Sequence, residues 1–171
     1  MRNAIRLTDR LRLEPITSGH AVDLWTVHQD AAVAESYGEW SEEMAHEEAA
    51  SFGAVWDAGG VHKWLAYDRF SGEVVGRGGL SFREVAGEAR WETGWALRGE
   101  FWGRGYASEI GRESLAFGFT ELDADRIVAF TESYNDRSIA VMKRIGLHYV
   151  GDITHRNSPF VLYAIDRPAN I

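Results

Sequence analysis

The chain has 171 residues, a length that suits one compact domain, taken as residues 1–171, and is short for two. With 45% hydrophobic residues, eight Phe, seven Trp and six Tyr it can build a packed core, and without Cys it can hold neither a disulfide nor a thiol nucleophile. The formal net charge of −8 argues against nucleic acid as a partner, and no run approaches the ~20 apolar residues that span a bilayer.

The charge is unevenly placed. From Arg12 to Lys63 no Lys or Arg intervenes, while Glu14, Asp23, Asp30, Glu35, Glu39, Glu42, Glu43, Glu47, Glu48 and Asp57 all fall there. Such a segment is either a solvated acidic helix face or a rim that attracts a cationic acceptor such as an amine. Arg2 and Arg6 are followed by no apolar stretch, so a soluble cytoplasmic protein with no membrane partner is expected.

In chain order, Leu11 and Leu13 alternate with charged residues and stop at Pro15, predicting a first strand. Ser18 is placed to cap a helix reaching about Asp30. A poorly patterned segment follows through Tyr37 and Trp40, and Ser41 then caps a second helix ending near Gly59-Gly60. Strands are expected over Lys63 to Asp68 and Val74 to Phe82, joined by a turn around Ser71-Gly72. Gly76, Gly78 and Gly79 suggest a bulge or a close backbone approach within the second of these. Arg90 to Leu97 reads as a further strand, followed by a Gly-rich turn and a helix from about Tyr106 to Thr120. A short strand over Arg126 to Phe130 precedes a helix opened by Asn135 or Asp136 and closed by Gly146. Leu147 to Val150 and Phe160 to Ile165 finish as strands. The order is that of one α/β domain.

The turn Trp102-Gly103-Arg104-Gly105-Tyr106-Ala107 carries the clearest chemical signal. It leads a strand into a helix, whose first N–H groups are unpaired and lie at the positive end of the dipole. Gly103 and Gly105 let the backbone approach a diphosphate closely, and Arg104 adds charge at the rim. A turn that uses glycine only to reverse the chain is the competing reading. A dinucleotide fingerprint requires glycine where Ser108 stands, and no Gly-Lys-Ser/Thr triplet exists for a P-loop. The six histidines show no metal-ligand spacing, so no metal is predicted.

This turn resembles the Q/R-x-x-G-x-G/A acyl-CoA motif of the GNAT superfamily of N-acetyltransferases, with Gly105 and Ala107 in its last two places and Trp102 in place of Gln or Arg. That replacement is typical of the branch that acetylates ribosomal-protein N-termini. Thr8-Asp9-Arg10-Leu11-Arg12-Leu13, Glu92-Thr93-Gly94-Trp95, Asn135-Asp136-Arg137-Ser138 and Lys143-Arg144-Ile145-Gly146-Leu147 resemble further elements of that branch, in order along the chain.

The resemblance implies a mixed, mostly antiparallel central sheet split by the acyl-CoA site, with helices on both faces. The split is expected between Arg90–Leu97 and Arg126–Phe130. Acetyl-CoA is the implied co-substrate. The Leu97 N–H would hold the thioester carbonyl, the amides from Gly103 to Ser108 the pyrophosphate, and Asn135 the pantetheine arm or the helix start. Many members use a Tyr seven residues after the Asn as acid; that position is Met142, and Ser138 is the implied substitute, with Tyr134 less favoured and an N-terminal capping hydroxyl the competing reading for Ser138.

For the base, Glu92 on the strand leading to the thioester is preferred, against a surface pairing with Arg90 or Arg98. Glu35 is the alternative, and Tyr37 and Trp40 are candidates to shape the acceptor cleft. An unassisted reaction driven by proximity also fits. The expected reaction is direct transfer from acetyl-CoA to a primary amine in a ternary complex. A protein N-terminal α-amine is favoured by resemblance over a polyamine, an amino acid analogue or an aminoglycoside-like acceptor. A non-catalytic acyl-CoA sensor is the reading from another class. Monomer and homodimer are equally compatible.

Overall fold

The computed structural model describes residues 5–169. Its eight strands are β1 (Arg6–Leu7), β2 (Leu11–Pro15), β3 (Trp64–Asp68), β4 (Val74–Val85), β5 (Glu88–Leu97), β6 (Arg126–Glu132), β7 (His148–His155) and β8 (Ser158–Asp166). The helices are α1 (Ala21–Gln29), α2 (Ala31–Tyr37), α3 (Glu42–Asp57), α4 (Tyr106–Thr120) and α5 (Asp136–Arg144). The strands form one sheet in the order β1-β2-β3-β4-β5-β6-β8-β7.

Every neighbouring pair is antiparallel except β5 and β6, which run parallel with α4 as their crossover. Their pairing is brief: Trp91 meets Ile127 and Glu92 meets Val128, and no partner follows. Beyond Glu92 the two strands part, and the sheet opens toward their C-terminal ends. The split expected between these strands is present, as is the mostly antiparallel sheet with helices on both faces.

Alternation along the strands builds two cores. On one face Val75, Leu80 and Leu97 pack with Tyr106, Ile110, Leu115, Phe117 and Phe119 of α4, around a fully buried Trp64. On the other, Leu65, Val74 and Ala96 pack with Leu24 and Val27 of α1, Val33 of α2 and Ala49 of α3. Within β4, Gly79 adopts φ +124°, and a β-carbon there would lie 2.8 Å from the Trp64 ring. The glycine cluster thus marks a distorted strand pressed against a large aromatic, as its composition suggests.

Caps explain the helix starts. The Ser41 hydroxyl accepts from the Met44 N–H at 3.1 Å, opening α3 where the sequence indicates. The helix expected from Ser18 begins instead as a single 3-10 turn, Ser18–His20, fastened by the Thr17 N–H donating to His20 Nδ1 at 3.1 Å, before α1 proper. The segment through Tyr37 is helical, contrary to the sequence reading. Asp30 accepts from the Ala32 N–H at 2.9 Å and so starts α2, while Gly38 at φ +76° ends it. Only Val33 is buried in its seven residues, so the apolar periodicity is too weak to announce it.

Candidate active site

The Gly-rich turn lies at the mouth of the split. Gly103 and Gly105 take φ +72° and +83°, and Gly105 is the N-cap of α4. Helices α2, α3 and α5 each receive a side-chain cap from Asp30, Ser41 and Asn135, whereas α4 has none, and neither does α1, which continues directly from the 3-10 turn. The first backbone bond of α4 runs from the Glu109 N–H to the Gly105 carbonyl, so the amides of Tyr106, Ala107 and Ser108 begin the helix unpaired within it. Glu109 would oppose an anion there, yet it is neutralised: Arg10 pairs with it at 2.8 Å, and the Thr8 hydroxyl and the Arg10 N–H also donate to it. Thr8 and Arg10 of the opening motif therefore serve the turn. Arg10 also donates to the Arg104 carbonyl at 2.8 Å and lies 4.5 Å above the Tyr106 ring.

Basic residues gather at the same end. Arg104 is exposed, Arg137 stacks on the Trp102 ring at 4.1 Å, and Arg144 donates to the Ser108 hydroxyl at 3.1 Å. Uncapped amides, left-handed glycines and these guanidiniums fit a polyanion such as a diphosphate. Arg137 and Arg144 were not foreseen at this turn, because only the fold brings α5 beside α4.

Trp102, at the first place of the turn, also reaches back to the strand. Its indole Nε1 donates to the Leu97 carbonyl at 3.0 Å, tying the turn to the end of β5. The ladder fixes what remains open. The Arg98 N–H bonds the Val75 carbonyl, so by antiparallel alternation residues 94, 96 and 98 bond β4 while 93, 95 and 97 turn toward β6. Because β6 has diverged, the Leu97 N–H faces the split.

On α5, the Asn135 side chain accepts from the Ser138 N–H at 3.2 Å. Asn135 is thus the cap of α5, and Ser138 gives only its backbone to that cap, leaving its hydroxyl on a half-buried side chain. Tyr134, just before the cap, is 78% exposed.

Glu92 is buried, not a surface residue. Lys63 Nζ lies 2.8 Å from its Oε2, and the Ser81 hydroxyl donates to the same oxygen at 3.2 Å. Oε1 lies beside Gly94, where a β-carbon would be 2.8 Å away. Burial pushes the carboxyl up, but Lys63, Arg83 and Ser81 together hold it below its ordinary range. Arg90 and Arg98 pair instead with Glu88 and Glu100. Lys63 was missed as a partner because β3 meets β5 only through the bulged β4.

Beside this pair, on the α1–α3 face, the structure brings Tyr37 and Trp40 together around His28. The Trp40 ring stacks on His28 with centroids 3.5 Å apart and planes 9° apart, and Tyr37 meets it edge-on at 5.8 Å. Arg77 Nε donates to His28 Nε2 at 2.8 Å, and its guanidinium lies 4.7 Å from the Tyr37 ring centroid. Burial, helped by Arg77, lowers His28 to about 3. Glu35 is exposed on α2 and makes none of these contacts. Among the described residues, no group of three or more His, Asp or Glu is placed to hold a metal ion.

A split sheet with an uncapped helix at its mouth agrees with the comparison that decides the family: the acetyltransferase (GNAT) domain profile matches residues 10–148. The chain belongs to the GNAT acetyltransferase family. This GNAT protein is 29% identical over 159 residues, 92% of each chain, to YkkB, an uncharacterised protein of Bacillus subtilis strain 168. Among solved structures, a GNAT-family acetyltransferase from Bordetella pertussis superimposes with a TM-score of 0.84 at 24% identity, over 97% of this chain and all of the other. RimL, a ribosomal L7/L12 α-N-protein acetyltransferase solved with coenzyme A, gives 0.79 at 20% identity over 97% and 99% of the two chains. At those identities the likeness is one of fold. The GNAT enzyme is an acyl-CoA-dependent N-acetyltransferase with acetyl-CoA as co-substrate.

Proposed function

We propose that the enzyme acetylates a protein N-terminal α-amine, which enters from the α1–α3 face and attacks the thioester held in the split. The observation that carries the transfer chemistry is the Leu97 N–H turned into the opening between β5 and β6, next to the uncapped start of α4. A fixed donor there strengthens as charge develops on the carbonyl oxygen, so it favours the transition state over the ground state. The amides of Gly103 to Ser108 would hold the pyrophosphate, with Arg104, Arg137 and Arg144 around it. Asn135 and Trp102 act by position: one starts α5, the other pins the turn to β5.

Ser138 is the proposed donor to the departing thiolate. Glu92 is the proposed proton acceptor, through a water at Oε1, since Lys63 and Ser81 occupy Oε2. Its depressed pKa keeps it ionised at neutral pH, so it would relay a proton and not retain it. Tyr37 and Trp40 form the acceptor wall, and Glu35 belongs to the acidic rim outside it. The α-amine is favoured by likeness to the ribosomal-protein branch. An amino acid analogue is the second reading, favoured by the buried Arg77.

The experiment is acetyl-CoA turnover with Ser138→Ala and Glu92→Gln. Each should lower kcat, by about tenfold or more, while CoA still protects the fold as in the wild type. Wild-type rates in both variants would remove these roles.

A further inference from the structure

Beyond the transfer machinery, one cationic side chain is built into the acceptor face without a counter-charge. Arg77 is 7% exposed and forms no ion pair among the described residues. Burying a guanidinium without an anion costs several kcal/mol, so a cation retained in this way needs a reason. Its one hydrogen-bond partner there is His28, which accepts at Nε2 and therefore carries its proton on Nδ1. His28 is neutral at physiological pH and cannot offset the charge. Its Nδ1 is itself buried with no partner. Nearby, Lys63 and Glu92 cancel one another at 2.8 Å, which leaves Arg77 as the uncompensated charge of the buried cluster.

The position is as informative as the charge. Arg77 stands opposite Ala96 in the β4–β5 ladder, so the two side chains share the acceptor face. Ala96 directly precedes Leu97, the residue whose N–H faces the split. The Tyr37 ring covers one side of the guanidinium, and His28, stacked on Trp40, fixes its Nε edge. What remains is the outer edge of the fork, the edge that binds a carboxylate through two parallel hydrogen bonds.

We propose that Arg77 is the subsite for a carboxylate carried by the acceptor, so that the preferred substrate is an amine with a carboxylate close to it. This rests on the amine-acetyltransferase reading above. Such a carboxylate has two sources: the α-carboxylate of a free amino acid, or an acidic side chain in the first residues of a protein N-terminus.

The test compares acceptors in matched pairs that differ only in that charge. Alanine, serine, methionine and glutamate are set against their α-carboxamides, and peptides beginning Ser-Asp against Ser-Asn. With the wild-type enzyme, kcat/KM for the carboxylate member of at least one arm should be higher by about tenfold or more. Arg77→Gln should bring the pair to within about twofold without changing the KM for acetyl-CoA, and Arg77→Lys should retain part of the preference. A response in the amino acid arm alone identifies the α-carboxylate; a response in the peptide arm alone identifies the side chain. Equal kcat/KM across every wild-type pair, or a preference that survives Arg77→Gln, overturns the proposal.

A binding measurement keeps the two readings separate. In the presence of CoA, N-acetylated amino acids or peptides should raise the melting temperature of the wild type more than their amide counterparts, and Arg77→Gln should abolish the difference. Differential protection without turnover would sink the acetyltransfer reading and leave the subsite standing. No differential protection, with or without turnover, would overturn the subsite.

Discussion

Lys63 and Glu92 form a buried ion pair in which one member is also the proposed proton acceptor. Both are almost fully buried and 2.8 Å apart, a geometry in which removing one partner leaves an unpaired charge in a poorly polarisable interior. Lys63→Met should therefore destabilise the fold by about 3–5 kcal/mol in denaturant unfolding, and the double change Lys63→Met/Glu92→Met should recover most of that. Two histidines add a pH dependence. Burial lowers His28 to about 3 and His62 to about 4, against an ordinary value near 6.5. Unfolding lets both rings bind protons below that value, so stability is complete above about pH 6.5 and falls as pH drops toward 4. Each ring adds a slope of up to ~1.4 kcal/mol per pH unit in that window. Melting curves of His28→Gln should show a shallower acid slope than the wild type.

At the scale of elements, the distinctive feature is the strap from Trp102 to Leu97, reinforced by Arg137 on the indole face. Trp102→Phe keeps an aromatic for Arg137 but leaves the Leu97 carbonyl without its donor. It should raise the KM for acetyl-CoA several-fold, with about 1 kcal/mol lost in stability. Elements announced by their own residues were legible in advance. Gly105 and the apolar periodicity fixed α4 as Tyr106–Thr120, and Ser41 fixed the start of α3. Where α2 lies, the decisive signal is Asp30 accepting from Ala32, a cap too local for periodicity to reveal. Strand β1, only two residues long, carries no pattern at all. The same distinction divides the site. Gly103 and Gly105 were readable from the turn itself, and Leu97 and Asn135 from the family resemblance. Lys63 with Glu92, Arg77 with His28, and Arg144 with Ser108 join residues 29, 49 and 36 positions apart, and only the folded sheet pairs them.

For the whole molecule, the charge asymmetry acquires a location. Glu35, Glu39, Glu42, Glu43 and Glu47 are exposed on or between α2 and α3, beside the face through which the acceptor is proposed to enter, while Arg77 is buried behind them. An acidic approach with a cationic interior suits an acceptor of both charges, with the amine steered by the rim and the carboxylate taken inside. Rising salt should then raise the acceptor KM while leaving kcat little changed, because screening acts on the exposed rim over about 10 Å and hardly on the buried site. The split sheet sets the other end of the proposed reaction, with the Leu97 end of β5 between the opening toward β6 and the face that carries Arg77.

The measurement that bears most directly on this account is release of free thiol from acetyl-CoA in the presence of N-terminal peptides, free amino acids, polyamines and aminoglycosides. Thiol release should require an α-amine acceptor and should slow in Ser138→Ala. Acetyl transfer to an amine would be contradicted if CoA raised the melting temperature of the protein while no amine accelerated thiol release above the rate with water alone.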